Sequence, residues 1–169
     1  MSTATYTFIH VLISLVGIGS GLIVMFGFLA GKRMNGMTGL FLLTTVLTSV
    51  TGFGFPMDHG FTPGDKLGVI SLVILAIAIP ARYIFQMRGA WRWVYVVTAS
   101  IALYLNVFVL VVQLFEKVPA IKALAPTQKE APFAIAQLTV LLIFVVLTIF
   151  AVRKFHPDSA GAQSTRLAA

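Results

Sequence analysis

A run of roughly 25 residues without a charged side chain, from Tyr6 to Gly31, constrains the fold of this chain more than any other feature. At about 1.5 Å of rise per residue, an α-helix of this length crosses the hydrocarbon core of a bilayer with some tilt. Four further apolar segments follow, and the gaps between the segments hold most of the charged residues and prolines. We therefore predict five membrane-spanning helices, at about 6–31, 37–55, 66–86, 92–115 and 132–152.

The composition also indicates a membrane protein, since 59% of the residues are hydrophobic, 10% are charged and the mean hydropathy is +0.98. Soluble domains carry about a quarter of charged residues, so this chain has too little polar sequence for a separate soluble domain. The prediction is an all-α integral membrane bundle of five helices in up-and-down order, formed by residues 1–156 around the first helix. Residues 157–169 are polar and small, and we expect them to form a disordered cytoplasmic tail.

The basic residues predict how the bundle is oriented. Lysine and arginine concentrate on the cytoplasmic side of membrane proteins. Basic pairs occur in loops one and three and just after the last span, whereas the second loop has one lysine and two aspartates. The fourth loop, with three lysines and two glutamates, weakens the pattern. This places the N-terminus outside and the C-terminus in the cytoplasm, as in a bacterial inner membrane, and explains the net charge of +7 without nucleic-acid binding. The pairs are Lys32 and Arg33, Arg88 and Arg92, and Arg153 and Lys154.

Five polar side chains are expected in the outer half of the bundle. Each needs a hydrogen-bond partner because hydrocarbon offers none, so we expect them to face one another inside the bundle. Two interpretations remain open. The bonds hold helices together, at about 0.6–2 kcal/mol each, or the side chains line a small-molecule pocket in which a histidine and a glutamine bond the carbonyl oxygens of a quinone. The candidate ligand-binding residues are His10, Ser14, Asn106, Gln113 and Gln137.

His10 also allows two alternatives with a bound metal. A haem b with two histidine ligands would need His59, the other histidine predicted on the same side. The same two residues with Asp58 form a weak candidate for a zinc or copper site. Because the chain has no cysteine, thiolate metal sites, iron–sulfur clusters and disulfides are excluded. The leading interpretation has no cofactor, with haem b or a quinone as the alternative.

Arg82 is the basic residue that lies furthest inside a predicted span. An ionisable residue in such a position suggests a function, and Arg82 could bind an anion or a lipid phosphate. The simpler interpretation is that its long side chain reaches the water at the nearby inner surface. Pro80, just before it, is expected to kink the third helix.

The motifs of known enzymes do not occur, and no acidic residue lies within the apolar part of a span, which argues against proton or cation transport. We therefore favour a small non-catalytic integral membrane protein that self-associates or serves as an accessory subunit of a larger membrane complex. Gly17 with Gly21, and Gly27 with Gly31, have the small-xxx-small spacing through which membrane helices associate. A third hypothesis is a passive channel or carrier for a small solute along the hydroxyls of the second span, although those hydroxyls more simply bond to carbonyls of their own helix.

Overall fold

The structure, a computed structural model, describes residues 2–55 and 62–156. Within these ranges the chain forms helices and no strand, so the predicted all-α bundle is confirmed. The predictions for Asp58, His59 and the tail from 157 to 169 lie outside the described residues. The helices are α1 (Thr3–Leu29), α2 (Asn35–Gly52), α3 (Pro63–Tyr83), α4 (Trp91–Lys117), the short α5 (Pro119–Lys122) and α6 (Ala131–Lys154).

The start of α3 follows directly from its sequence. Thr62-Pro63-Gly64-Asp65 predicts an N-terminal cap, with proline at the first helical position. The structure confirms it: the Asp65 backbone N–H donates to Thr62 Oγ1 at 3.2 Å, and the Thr62 backbone N–H donates to Asp65 Oδ2 at 2.8 Å. These reciprocal bonds satisfy two N–H groups that the first turn leaves without helical partners.

The start of α6 resolves two possibilities in the sequence, a start at Thr127 or a start at Pro132. The helix begins at Ala131, one residue before Pro132, so the missing N–H of the proline falls where no helical bond is required. The preceding Glu130 carboxylate accepts hydrogen bonds from the Thr127 hydroxyl at 2.8 Å and from the Lys129 backbone N–H. The bond from Thr127 is the main reason that the pKa of Glu130 lies below its usual value.

Helices α1 and α4 share the centre of the bundle. Helix α1 packs on α2, α4 and α6, and α4 packs on α1, α3 and α6 and also reaches α2 through a side-chain hydrogen bond. Helices α2 and α3 contact each other and close one side, while α6 covers the groove between α1 and α4 on the other. The first helix is therefore central as predicted, but it is not alone, because the fully buried Ala99 and Ala102 let the neighbours of α4 approach closely.

Four of the described helices are long and apolar enough to cross a membrane; over their most apolar 18 residues the mean hydropathy is 2.3 for α1, 1.8 for α3, 2.2 for α4 and 2.8 for α6. The protein is therefore an integral membrane protein, in contact with the lipid bilayer. The fifth predicted span, α2, is shorter and less apolar, because threonines and glycines interrupt its leucines.

Helix α2 nevertheless lies antiparallel along α1 over its whole length. Tyr6, near the start of α1, donates to the carbonyl of Thr51 near the end of α2 at 2.6 Å. Gly17 in the middle of α1 faces Thr44, and Gly27 near its end faces Met34 just before α2. Since α2 covers the same depth as α1, a fifth crossing follows if α1 spans the bilayer; the count of five stays a prediction.

Candidate functional site

The bundle has two ends, which we name the His10 end and the Arg82 end. The His10 end includes the start of α1, the end of α2 and the start of α3. The Arg82 end includes the end of α1, the start of α2 and the loop from α3 to α4. The five candidate ligand-binding residues lie toward the His10 end or in the middle of the bundle, whereas Arg82 lies at the other end.

His10 is half-buried between α1 and α2. Its Nδ1 lies 2.8 Å from Thr51 Oγ1, and its ring makes a T-shaped contact with that of Phe55, with 5.2 Å between the ring centroids. The Thr51 hydroxyl donates to the carbonyl of Leu47 at 2.7 Å, so the Nδ1 of His10 is the donor to Thr51. Ser14 donates to the carbonyl of His10 in its own helix at 2.7 Å.

The other three candidate ligand-binding residues do not contact His10. Asn106 of α4 donates to Thr45 Oγ1 of α2 at 3.1 Å, and Gln137 of α6 donates to the carbonyl of Phe108 in α4 at 3.2 Å. Gln113 is exposed on α4. The structure thus brings His10 and Ser14 together, and it places Asn106 and Gln137 in separate bonds between different pairs of helices. Whether any of the five binds a ligand stays a prediction.

The hydroxyls of α2 do not form a row that faces a channel. Thr44 donates to the carbonyl of Leu40 at 2.7 Å, Ser49 donates to the carbonyl of Thr45 at 2.9 Å, and Thr51 bonds within its helix in the same way. This is the bonding to the helix's own carbonyls that the sequence indicated as the simpler interpretation. It satisfies the hydroxyls of Thr44, Ser49 and Thr51 without water, whereas the buried Thr48 Oγ1 has no hydrogen-bond partner among the described residues.

Arg82 does not extend to water as the simpler interpretation predicted. Its side chain is buried, with 7% exposed, and Nη2 donates to Asn35 Oδ1 at 2.6 Å. Nη1 donates to the sulfur of Met87 at 3.3 Å, whereas Nε has no hydrogen-bond partner among the described residues. The guanidinium carbon also lies 5.2 Å from the ring centroid of Tyr95 and 5.8 Å from that of Tyr83.

The loop from α3 to α4 buries Arg82 by folding back beneath it. The Met87 backbone N–H donates to the carbonyl of Ala81 at 2.9 Å, and Gln86 and Met87 have φ angles of 49° and 58°. Two successive non-glycine residues in the left-handed region are uncommon, because the Cβ atom crowds the backbone there. The sequence gives no signal for this turn, since the glycine that would announce it, Gly89, comes two residues later.

A cavity of about 530 Å³ opens beside Arg82. A second hollow of about 290 Å³ adjoins it and shares Gln86 and Arg88 with it. In the wall of this second hollow, Phe85 and Trp91 stack with 3.9 Å between the ring centroids and 7° between the ring planes. The residues around Arg82 in the larger cavity are Arg33, Asn35, Tyr83, Gln86, Met87 and Arg88.

Charge separates the two ends of the bundle. The acidic residues that the structure describes, Asp65, Glu116 and Glu130, all lie at the His10 end or beside it, at the start of α3, the end of α4 and the start of α6. The Arg82 end is basic, and the pocket lies within it. The basic residues at that end are Lys32, Arg33, Arg82, Arg88, Arg92, Arg153 and Lys154.

Comparisons of the chain with protein-family models, with curated proteins and with solved structures gave no match. Function is therefore inferred from the residues and their contacts. The strongest signals in the described part of the chain are the hydrogen bonds between helices toward the His10 end and the basic pocket at the Arg82 end.

Proposed function

We propose that this chain is a non-catalytic integral membrane protein of the bacterial inner membrane, which acts by associating with itself or with a larger membrane complex. The observation that supports this is the use of its polar side chains. The bonds of His10, Asn106 and Gln137 connect α1 with α2, α4 with α2 and α6 with α4. Side chains committed in this way stabilise the bundle and do not converge on a shared reaction centre. In the proposed orientation the N-terminus is outside and the Arg82 end faces the cytoplasm.

The glycines that suggested an association surface are already used inside the bundle. Gly17 packs on Thr44, and a Cβ atom added at Gly21 would lie 2.5 Å from Leu103 and 2.8 Å from Phe41. Gly27 packs in the same way on Met34. These glycines therefore serve the close approach of α2 and α4 to α1, and we propose a different surface for association.

Helix α6 offers the most extensive remaining surface. Only 17% of its most apolar window is buried inside the bundle, against 44% for α1 and α4. Its exposed side chains cover more than one face, and one row of leucine, valine and isoleucine among them recurs at spacings of three and four residues, which places that row along one face of the helix. We propose this face for association; its residues are Leu138, Leu142, Val145 and Ile149.

Single-cysteine cross-linking tests this proposal cleanly because the chain has no cysteine of its own. Leu138→Cys lies on the exposed face of α6, and Leu15→Cys, at an exposed position of α1, is the control. The two positions lie at about the same depth, because α1 and α6 run parallel and the chain after α1 reaches the end of α6 where Gly31 lies beside Lys154. We expect oxidation in native membranes to give a disulfide-linked dimer for Leu138→Cys and little for Leu15→Cys. Light scattering in mild detergent should give a mass above that of one chain.

Assembly with a different protein would appear as a mass above one chain without the Leu138→Cys dimer, and it would support the accessory-subunit form of the proposal. A particle with the mass of one chain, together with equal cross-linking of the two variants, would contradict both forms.

His10 supports a second candidate, a redox component that binds a quinol. Its Nδ1 donates to Thr51, so the neutral ring carries a lone pair on Nε2, and Nε2 forms no hydrogen bond with the described residues. A lone pair accepts from the hydroxyl of a quinol or ligates a haem iron, whereas the carbonyl of an oxidised quinone would need a donor. His156, the other described histidine, follows α6 at the opposite end of the bundle and cannot share a haem with His10.

The same purified preparation tests this candidate. An absorption spectrum with a Soret band, or quinol in a solvent extract at a constant ratio to protein, would favour it over the non-catalytic function. A colourless protein free of quinol would leave the non-catalytic function as the better account.

A further inference from the structure

The charge of Arg82 is buried without an opposite charge. More than nine-tenths of the side chain is shielded from solvent, and its hydrogen-bond partners, the Asn35 amide and the Met87 thioether, are neutral. The ring of Tyr95 adds a favourable cation–π contact. Neutral partners compensate only part of the lost hydration of a cation, so the guanidinium remains a strong binding group for an anion.

The pocket beside Arg82 has the composition of an anion site. Arg33 and Arg88 contribute two further guanidinium groups to its lining, and Gln86 contributes a neutral amide. Planar guanidinium groups bind phosphate with paired hydrogen bonds, which is why arginine is enriched where phosphate is recognised. No acidic side chain in the described ranges lies at this end to compete for the guanidinium groups of Arg82 and Arg88.

The adjoining hollow indicates that the anion carries an apolar part. It is lined by Ile84, Phe85 and Trp91, and it shares Gln86 and Arg88 with the basic pocket. Trp91 and the exposed Trp93 stand at the start of α4, where membrane proteins place tryptophan at the level of the lipid headgroups. A ligand with a phosphate beside an apolar chain fits these two adjoining surfaces.

From these observations we propose that the Arg82 pocket binds the phosphate of an acidic phospholipid, with the start of its acyl chains on the Phe85–Trp91 stack. The site goes beyond the non-catalytic function proposed above and does not depend on it. The turn at Gln86 and Met87 holds the pocket in shape, since its two left-handed residues keep Met87 buried under the guanidinium. Such local backbone strain persists where the surrounding structure enforces it, and it concentrates at binding sites.

Native mass spectrometry of the full chain in a neutral detergent tests the proposal. The probes are short-chain phosphatidylglycerol, which carries a net negative charge, short-chain phosphatidylcholine, which is neutral overall, and inorganic phosphate. Arg88→Gln removes one pocket charge from an exposed position, and Arg153→Gln removes the same charge at the same end outside the pocket. Neither residue is buried, so both variants should fold.

We expect the wild type to bind phosphatidylglycerol about tenfold or more tightly than phosphatidylcholine, and Arg88→Gln to lose most of that preference, since one hydrogen bond to a charged group accounts for a change of this size. Arg153→Gln should bind like the wild type. Arg82→Gln, if helical by circular dichroism, should lose the preference completely.

Equal losses in Arg88→Gln and Arg153→Gln would overturn the proposal, because the attraction would then belong to the surface charge of the whole end. Binding of inorganic phosphate as tightly as phosphatidylglycerol would overturn the assignment to a lipid. Equal binding of the two lipids by the wild type would overturn the anion site itself.

Discussion

Gly21→Ala is expected to destabilise the bundle by about 1–3 kcal/mol, the usual range for overpacking a well-filled core. The new methyl group would lie 2.5 Å from Leu103 Cδ1 and 2.8 and 2.9 Å from two ring atoms of Phe41. These side chains are each 1% exposed, so neither can move aside without disturbing its own neighbours. The measurement is the free energy of unfolding from titration with a denaturing detergent, followed by the helical circular dichroism signal.

Gly19→Ala provides the matched control in the same helix. A Cβ atom at Gly19 meets nothing within 4 Å, and glycine is the weaker helix former by about 0.5–1 kcal/mol, so this variant should be as stable as the wild type or slightly more stable. Equal destabilisation by the two alanines would show that α1 is not packed against α2 and α4 in the way described.

Arg92→Ala is expected to cost about 1.5–3 kcal/mol, the range for hydrogen bonds to a charged group. The Nη1 group of Arg92, at the start of α4, donates to the carbonyls of Val152, at 3.2 Å, and Phe155 at the end of α6. The last carbonyls of a helix lack helical partners and attract a cation. These bonds hold the end of α6 against the start of α4, and the fully buried Phe155 also packs on Phe28 of α1 with 4.9 Å between the ring centroids.

Hydrogen exchange measures how far Arg92→Ala loosens the end of α6 itself. In Arg92→Ala the backbone amides of the last turn of α6 should exchange faster, while those in the middle of α4 should change little. Arg153→Ala is the control, because it removes the same charge from an exposed position at the same end. If Arg153→Ala accelerates exchange as much as Arg92→Ala, net charge rather than capping of α6 explains the result.

The fold class could be predicted from the sequence because its signals are local. Length and apolarity define the spans, and the cap at Thr62 and Asp65 lies within four consecutive residues. The choice of neighbours is harder to predict, since lipid and core are both apolar and the hydrophobic pattern barely distinguishes the two faces of a span. The small size of Ala99 and Ala102 indicates which face of α4 is packed, but it does not indicate which helix packs there.

The site residues show a similar limit. The sequence drew attention to Arg82, because a charge inside a span is unusual. The sequence could not indicate that Asn35 and Met87 contact Arg82. Asn35 belongs to a different helix, α2, and the position of Met87 depends on a turn at Gln86 that no sequence pattern predicts. For Arg92 the sequence indicates only the orientation of the bundle, although its main contact is the end of α6.

Labelling from the two sides of the membrane tests the five-span bundle most directly. Four exposed neutral positions near the ends of the helices accept a single cysteine: Gly36, Gly64, Ala90 and Ala123. In sealed vesicles, an impermeant maleimide should label Gly36→Cys and Ala90→Cys only from the cytoplasmic side, and Gly64→Cys and Ala123→Cys only from the outer side. Labelling of Gly36→Cys and Gly64→Cys from the same side would show that α2 does not cross the membrane, and would contradict the account.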